Sequence, residues 1–136
     1  MDRVALDTSF LIDLQRERRA RRRSGPATEL LRAHPDLRLA LPTVALGEYL
    51  EGFDDPGSAA ARALVEPLDL LDVTEEVARR YAQVTRALRT RGALVGANDL
   101  WIACTALAFE LPLVTRDVGP MRRIPGLVLV DYRSRT

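Results

Sequence analysis

An α/β fold built on a mainly parallel sheet is the fold class this sequence predicts, and three observations predict it. Short apolar segments of strand length recur along the 136 residues, and stretches with helical patterning separate them. No repeat or linker divides the chain, whose length suits a single domain over residues 1–136. Hydrophobic residues make up 47% of it, enough for a real core.

The elements follow in order. Residues 3–7, RVALD, read as a short buried strand, and Thr8 as the cap of a helix through SFLIDLQRER. RERRARRRSGP breaks that pattern. Six Arg fall between Arg16 and Arg23, then Ser24, Gly25 and Pro26, which predicts a helix end running into an exposed turn. ATELLRAH is a short helix with Leu30 and Leu31 inward, stopped by Pro35, and LRLALP alternates as a second strand. Thr43 is placed to cap a helix through VALGEYLEGF. FDDPGS is a loop, AAARALVEP a short helix, and LDLLDV a short strand or extended link. Thr74 with Glu75 and Glu76 opens the next helix, since acids suit the positive end of the helix dipole. That helix runs to about Arg91, and Gly92 ends it. GANDLWIACTALAFEL has almost no polar face after Asp99, which predicts a helix packed on both sides. Pro112 separates it from strand LVT; RDVGPMRRIPG is a loop with a helical turn, and LVLVDY is the last strand.

Composition excludes several classes of function. Formal net charge is only +1, so there is no overall case for nucleic-acid or membrane binding, and distribution matters more than the sum. All 20 basic residues are Arg. The lack of Lys removes mechanisms that need one, among them the P-loop NTPases and the response-regulator receiver domains. The single Cys104 cannot form an internal disulfide and fits a reducing compartment. No apolar run approaches the roughly 20 residues that span a bilayer. No basic region followed by an apolar stretch opens the chain, so the expected location is cytoplasmic.

Four acids stand out. In parallel α/β sheets, functional groups gather beyond the carboxyl ends of the strands. Asp7 ends the first strand, Asp117 follows LVT by two residues, and Asp99 sits in the first turn of the apolar helix. Glu48 lies mid-helix among Leu46, Tyr49, Leu50 and Phe53. Each is embedded in apolar sequence, unlike Glu17, Asp54 or Glu75, which have polar neighbours. Brought together, these charges repel, and some would take up protons. A divalent cation resolves the conflict, and oxygen-only ligands point to Mg²⁺ or Mn²⁺ rather than zinc. Such an ion activates water and neutralises charge on a phosphodiester.

LDTSFLID, GEYLEG, NDLWIACTAL and LVTRD…RIPGL occur in this order along nearly the whole chain. In this the sequence resembles the PIN-domain ribonucleases, and most of all the small VapC-type toxins of toxin–antitoxin pairs. The resemblance implies a three-layer α/β/α sandwich whose central, mainly parallel sheet has four or five strands. It implies Mg²⁺- or Mn²⁺-dependent hydrolysis of RNA by metal-activated water, leaving a 5′-phosphate, and it implies a VapB-like antitoxin partner and a homodimer. Carried over by position, Asp7, Glu48 (with Gly52 in E-x-x-x-G), Asp99 (after Asn98) and Asp117 match the family's acids. The resemblance assigns metal contact to Asp7 and Asp99, direct or water-mediated contact to Asp117, and to Glu48 the orienting of water or a second ion. Ser9 and Thr115 match hydroxyl positions that support the acids. Where the family often has an acid or His with Phe soon after the fourth acid, this chain has VGPM, so no further ligand is assigned there.

Taken singly, each residue also has a plainer reading. Asp7 suits a helix N-cap, Asp99 the helix dipole (or Asn98 caps and Asp99 is incidental), Asp117 a turn, and Glu48 a solvated helix face. Asp13 and Glu51 read as surface residues paired with nearby Arg, His34 as a surface residue, and Trp101 and Cys104 as core. The Arg16–Arg23 run reads as solvated surface, or as a contact for RNA phosphates or for an acidic part of an antitoxin. Arg16, Arg18 and Arg19, with Arg116, Arg122 and Arg123 near Asp117, are the candidate RNA contacts. Two rival functions remain. One is a module of the same fold that binds RNA or protein without cutting, which a missing acid would favour. The other is a haloacid-dehalogenase-like phosphatase, disfavoured by Ser9 where that class wants a second Asp and by the lack of Lys.

Overall fold

Val4, Ala5 and Leu6 are all completely buried. Successive strand residues point to opposite faces, so the strand that carries them is covered on both sides. Leu113, Val114 and Thr115 are buried in the same way. The computed structural model, which describes residues 1–20 and 24–134, therefore has a sheet sandwiched between two layers of helix. The strands are β1 (Arg3–Leu6), β2 (Arg38–Pro42), β3 (Asp69–Leu71), β4 (Leu113–Thr115) and β5 (Leu129–Asp131). They pair in the order β3-β2-β1-β4-β5, and every pairing is parallel. The helices among the described residues are α1 (Thr8–Arg19), α2 (Pro26–Ala33), α3 (Thr43–Leu50), α4 (Ala59–Arg62), α5 (Glu75–Thr90), α6 (Ala97–Ala108) and α7 (Val118–Met121). None is long and apolar enough to cross a membrane.

This strand order creates a switch point. From β1 the chain builds outward through β2 and β3, then returns to the other side of β1 for β4 and β5. The crevice at the carboxyl ends of β1 and β4 is where such sheets place ligands. The β1–β4 ladder continues past the strand end, with the Asp7 amide donating to the Val114 carbonyl at 2.9 Å. Because α6 must run back to feed β4, its N-terminus, with Asp99, stands at the same carboxyl edge.

Several local details differ from the sequence reading. β1 ends at Leu6, and Asp7, not Thr8, caps α1, accepting from the Thr8 amide at 2.9 Å. Thr43 is the first helical residue of α3 rather than its cap, because β2 runs straight into the helix through Pro42. α3 stops at Leu50, short of the expected Phe53. Leu30 and Leu31 are only half-buried, and Ala27 is the residue that α2 buries completely. Thr74 does cap α5, accepting from the Val77 amide at 3.2 Å. Gly92, at φ +64°, ends it. Cys104 is fully buried, and burial pushes its thiol up to about 11, as suits an inert core residue. Trp101 is half-buried rather than core and stacks on Tyr81 with ring centroids 3.8 Å apart. His34 is exposed, as expected. α1 ends at Arg19; Arg21, Arg22 and Arg23 lie outside the described residues.

Candidate active site

Asp7 caps α1 with one carboxylate oxygen and meets two hydroxyls with the other. Its Oδ1 accepts from the Thr8 amide at 2.9 Å, and its Oδ2 accepts from Thr115 Oγ1 at 2.7 Å and Ser9 Oγ at 3.0 Å. Capping uses one oxygen and leaves the other facing the β4 end, so the plainer reading of Asp7 as a cap does not exhaust the carboxylate. Only 2% of the residue is exposed. Burial raises its pKa against the pull of those three hydrogen bonds, and the charge on Asp117 adds a smaller upward push.

Glu48 is held from two sides. Thr8 Oγ1 donates to its Oε1 at 2.7 Å, and Asn98 Nδ2 donates to its Oε2 at 3.1 Å. The half-buried side chain thus bridges the starts of α1 and α6, which the solvated-face reading does not predict. Asn98 is not a cap; Gly96 occupies that position, and the Asn98 amide serves Glu48 instead. The partners Thr8 and Asn98 were legible only as neighbours of the motif acids in the chain.

Asp99, in the first turn of α6, reports the convergence most directly. Its carboxyl is pushed up to about 6, first by burial and then by the charges of Asp7, Glu48 and Asp117. Asp117 is exposed at the cap position of α7, where its side chain makes no capping bond, and its amide donates to Thr115 Oγ1 at 3.0 Å. The structure thus brings all four acids and both hydroxyls to one place. Among the described residues, none of the four is in an ion pair.

Oxygen is the only donor type the cluster offers, which is the chemistry of a hard divalent ion. Among the described residues, no group of three or more His, Cys, Asp or Glu is close enough together to hold a metal ion. Mg²⁺ does not require one, because it keeps several of its waters and takes one or two carboxylates. The repulsion raising Asp99 is what such a cation would relieve, so the residues present fit it.

The arginines divide. Arg16, Arg18 and Arg19 are exposed at the far end of α1, about 14 Å or more from Asp7 by helix rise, so they are not brought to the acids. Arg123 Nη1 donates to the Leu94 carbonyl at 3.2 Å, and Arg91 Nη2 to the Arg123 carbonyl at 2.9 Å, a mutual clasp between the loops that flank Asp99 and Asp117. Arg122 is exposed beside them. Arg116 turns inward, its Nη1 donating to Asp13 Oδ1 at 2.7 Å. Asp13 itself is 7% exposed, not the surface residue expected. It does pair with Arg, but with Arg116 and Arg133 from the far end of the chain rather than with the nearby Arg expected. Glu51 is exposed, as expected.

A parallel sheet with helices on both faces and an acid cluster at its switch point defines a class. Residues 4–127 match the family model described as PIN domain, and the chain belongs to that family. More particularly, it is 29% identical over 132 residues to the protein named Ribonuclease VapC1 of Haemophilus influenzae strain R2866, covering 93% of this chain and 96% of that one. The solved structure of VapBC-1 from nontypeable Haemophilus influenzae superposes with a TM-score of 0.78 at 28% identity, covering 97% of this chain and 99% of that one. DNA-bound VapBC from Salmonella typhimurium superposes with a TM-score of 0.77 at 26% identity, over the same shares of the two chains.

Proposed function

We propose that this protein is the toxin of a toxin–antitoxin pair and acts as a Mg²⁺- or Mn²⁺-dependent endoribonuclease. The observation that carries the reading is the pressure on Asp99, which burial and the three neighbouring acids push up to about 6. The relatives named ribonucleases supply the substrate class. Those solved as VapBC complexes supply the kind of partner, a VapB-like antitoxin. A homodimer and a cytoplasmic location complete the reading.

Asp7 and Asp99 would hold the ion, with Asp117 reaching it directly or through water. When bound, the ion supplies Lewis-acid activation of water and neutralises charge on the phosphodiester. Ser9 and Thr115 hold the Asp7 carboxylate in one orientation. Glu48, clamped by Thr8 and Asn98, presents a fixed carboxylate that orients water or a second ion. No His or Lys base is required, which suits a chain with one exposed His and no Lys. In this reading Arg122, exposed near Asp117, meets the RNA backbone, with Arg123 beside it held by its bond to the Leu94 carbonyl, and the distant Arg16, Arg18 and Arg19 meet a longer RNA or the antitoxin.

The test is cleavage of a mixed RNA pool by antitoxin-free protein with Mg²⁺, Mn²⁺ or EDTA, beside Asp7→Asn. Asn keeps an oxygen for the Thr8 amide, so the fold persists while the charge goes. Cuts that need the ion and fall at least about 100-fold in the variant support the reading. Equal cutting by the variant overturns it. A folded protein that binds RNA with no metal-dependent cuts leaves the non-cleaving module in its place.

A further inference from the structure

Asp13 is an acid that the proposed reaction does not use, yet it is the most heavily bonded carboxylate on α1. Arg116 Nη1 donates to its Oδ1 at 2.7 Å. Its Oδ2 accepts from Tyr132 Oη at 2.5 Å and from Arg133 Nη2 at 3.0 Å. Tyr132 is buried edge-on against Phe10, with ring centroids 5.0 Å apart. Burying a carboxylate against partly exposed Arg partners is a poor device for stability alone, since apolar residues of similar volume often serve as well. What this one provides is a fixed place for Arg116.

That place matters because Arg116 lies between Thr115 and Asp117. The segment is attached to α1 and its cap at three successive points. The Thr115 hydroxyl bonds Asp7, the Arg116 amide donates to Ser9 Oγ at 3.3 Å, and the Arg116 guanidinium bonds Asp13. Ser9 and Asp13 are four residues apart on the helix and so share one face. Asp117 has no side-chain capping bond of its own. Its direction follows from the backbone path that these attachments set.

We propose that Asp13 is a positioning residue which, through Arg116, aims Asp117 into the acid cluster. The inference rests on the reading above that Asp117 helps to hold the ion. It also explains why Arg116, beside the cluster, faces a carboxylate rather than the substrate.

The experiment compares wild type, Arg116→Met, Arg116→Lys and Arg133→Met. Met keeps an unbranched stem without the charge, while Tyr132 and Arg133 remain to hold Asp13. Three quantities are measured: Mn²⁺ affinity by water-proton relaxation, amide exchange at residues 116–118 in metal-free protein, and kcat and KM on one RNA. Arg116→Met weakens Mn²⁺ binding and lowers kcat by about 10-fold or more, as loss of an outer partner of a metal ligand does, with KM within about two-fold. Exchange at Asp117 accelerates, and Arg116→Lys recovers most of the loss. Arg133→Met lowers the melting temperature and leaves Mn²⁺ affinity unchanged. The proposal is overturned if Arg116→Met binds Mn²⁺ like wild type, or raises KM alone as a phosphate contact would. Equal effects from Arg133→Met, meaning general loosening, overturn it too. Wild type that binds no Mn²⁺ removes the underlying reading instead, and with it this one.

Discussion

Asp7 and Asp99 are both raised in pKa by burial, but their surroundings differ, and so do the expected consequences of neutralising them. Asp7 is a helix cap with three donors, so Asp7→Asn exchanges repulsion for poorer hydrogen bonding and changes metal-free stability little. At Asp99 burial and three neighbouring acids all push upward, so Asp99→Asn stabilises the metal-free fold and abolishes cleavage. The pH dependence follows with a definite sign. With a carboxyl that titrates near 6 when folded and 3.8 when unfolded, the folded state binds the proton more tightly. Its contribution to stability is full below about 4 and is lost as pH rises through 6. Thermal melts in EDTA across this range therefore show a wild-type curve that falls relative to that of Asp99→Asn. Parallel curves would mean that Asp99 does not feel its neighbours.

At the scale of elements, helix ends carry the testable energetics. α5 and α6 end in the same way. The Ala93 amide reaches the Leu88 carbonyl and the Gly92 amide the Arg89 carbonyl; the Leu111 amide reaches Ala106 and the Glu110 amide Leu107. Each motif needs one left-handed residue, and α5 uses Gly92 at φ +64° where α6 uses Glu110 at φ +56°. Gly92→Ala accordingly costs about 1 kcal/mol. Glu110→Gly gains roughly 0.5 kcal/mol, the relief of left-handed strain less the added freedom of the unfolded chain. Urea denaturation measures both, and a loss from Glu110→Gly would contradict the strain assigned to that position. The entry to α2 uses a side chain from another helix. Glu17 accepts from the Ala27 and Thr28 amides at 3.1 and 2.8 Å. A Cβ on Gly25 would fall 2.4 Å from Glu17 Cδ, so a side chain there would push Glu17 off the α2 amides. Glu17→Ala costs about 1 kcal/mol and Glu17→Gln much less, read by the same denaturation series.

For the whole molecule, an ion that binds only the folded acid cluster must stabilise everything packed around it. At about 100 times its dissociation constant, Mg²⁺ or Mn²⁺ adds about 2.7 kcal/mol, seen as a rise in melting temperature that EDTA reverses. Asp7→Asn and Asp99→Asn lose that rise. A wild-type melt indifferent to both ions would remove the metal from the mechanism.

Much of the site was legible in the sequence because its signals are local. A carboxylate directly after a buried strand, an acid in the first turn of an apolar helix and an acid two residues past LVT are all visible within a few residues. Alternation of short apolar segments with helices likewise determined the parallel α/β class. Tertiary structure alone decided which polar groups meet. Asp13, flanked by Leu11, Ile12 and Leu14, met the same apolar-neighbour criterion as the four acids, yet its partners Arg116, Tyr132 and Arg133 lie more than 100 residues away. Asn98 and Thr8 turn to Glu48 across 50 and 40 residues, and Glu17 turns to the start of a different helix. The physical reason is that hydrophobic periodicity is written along the chain, whereas a buried charge is satisfied by whatever donors the sheet order brings beside it.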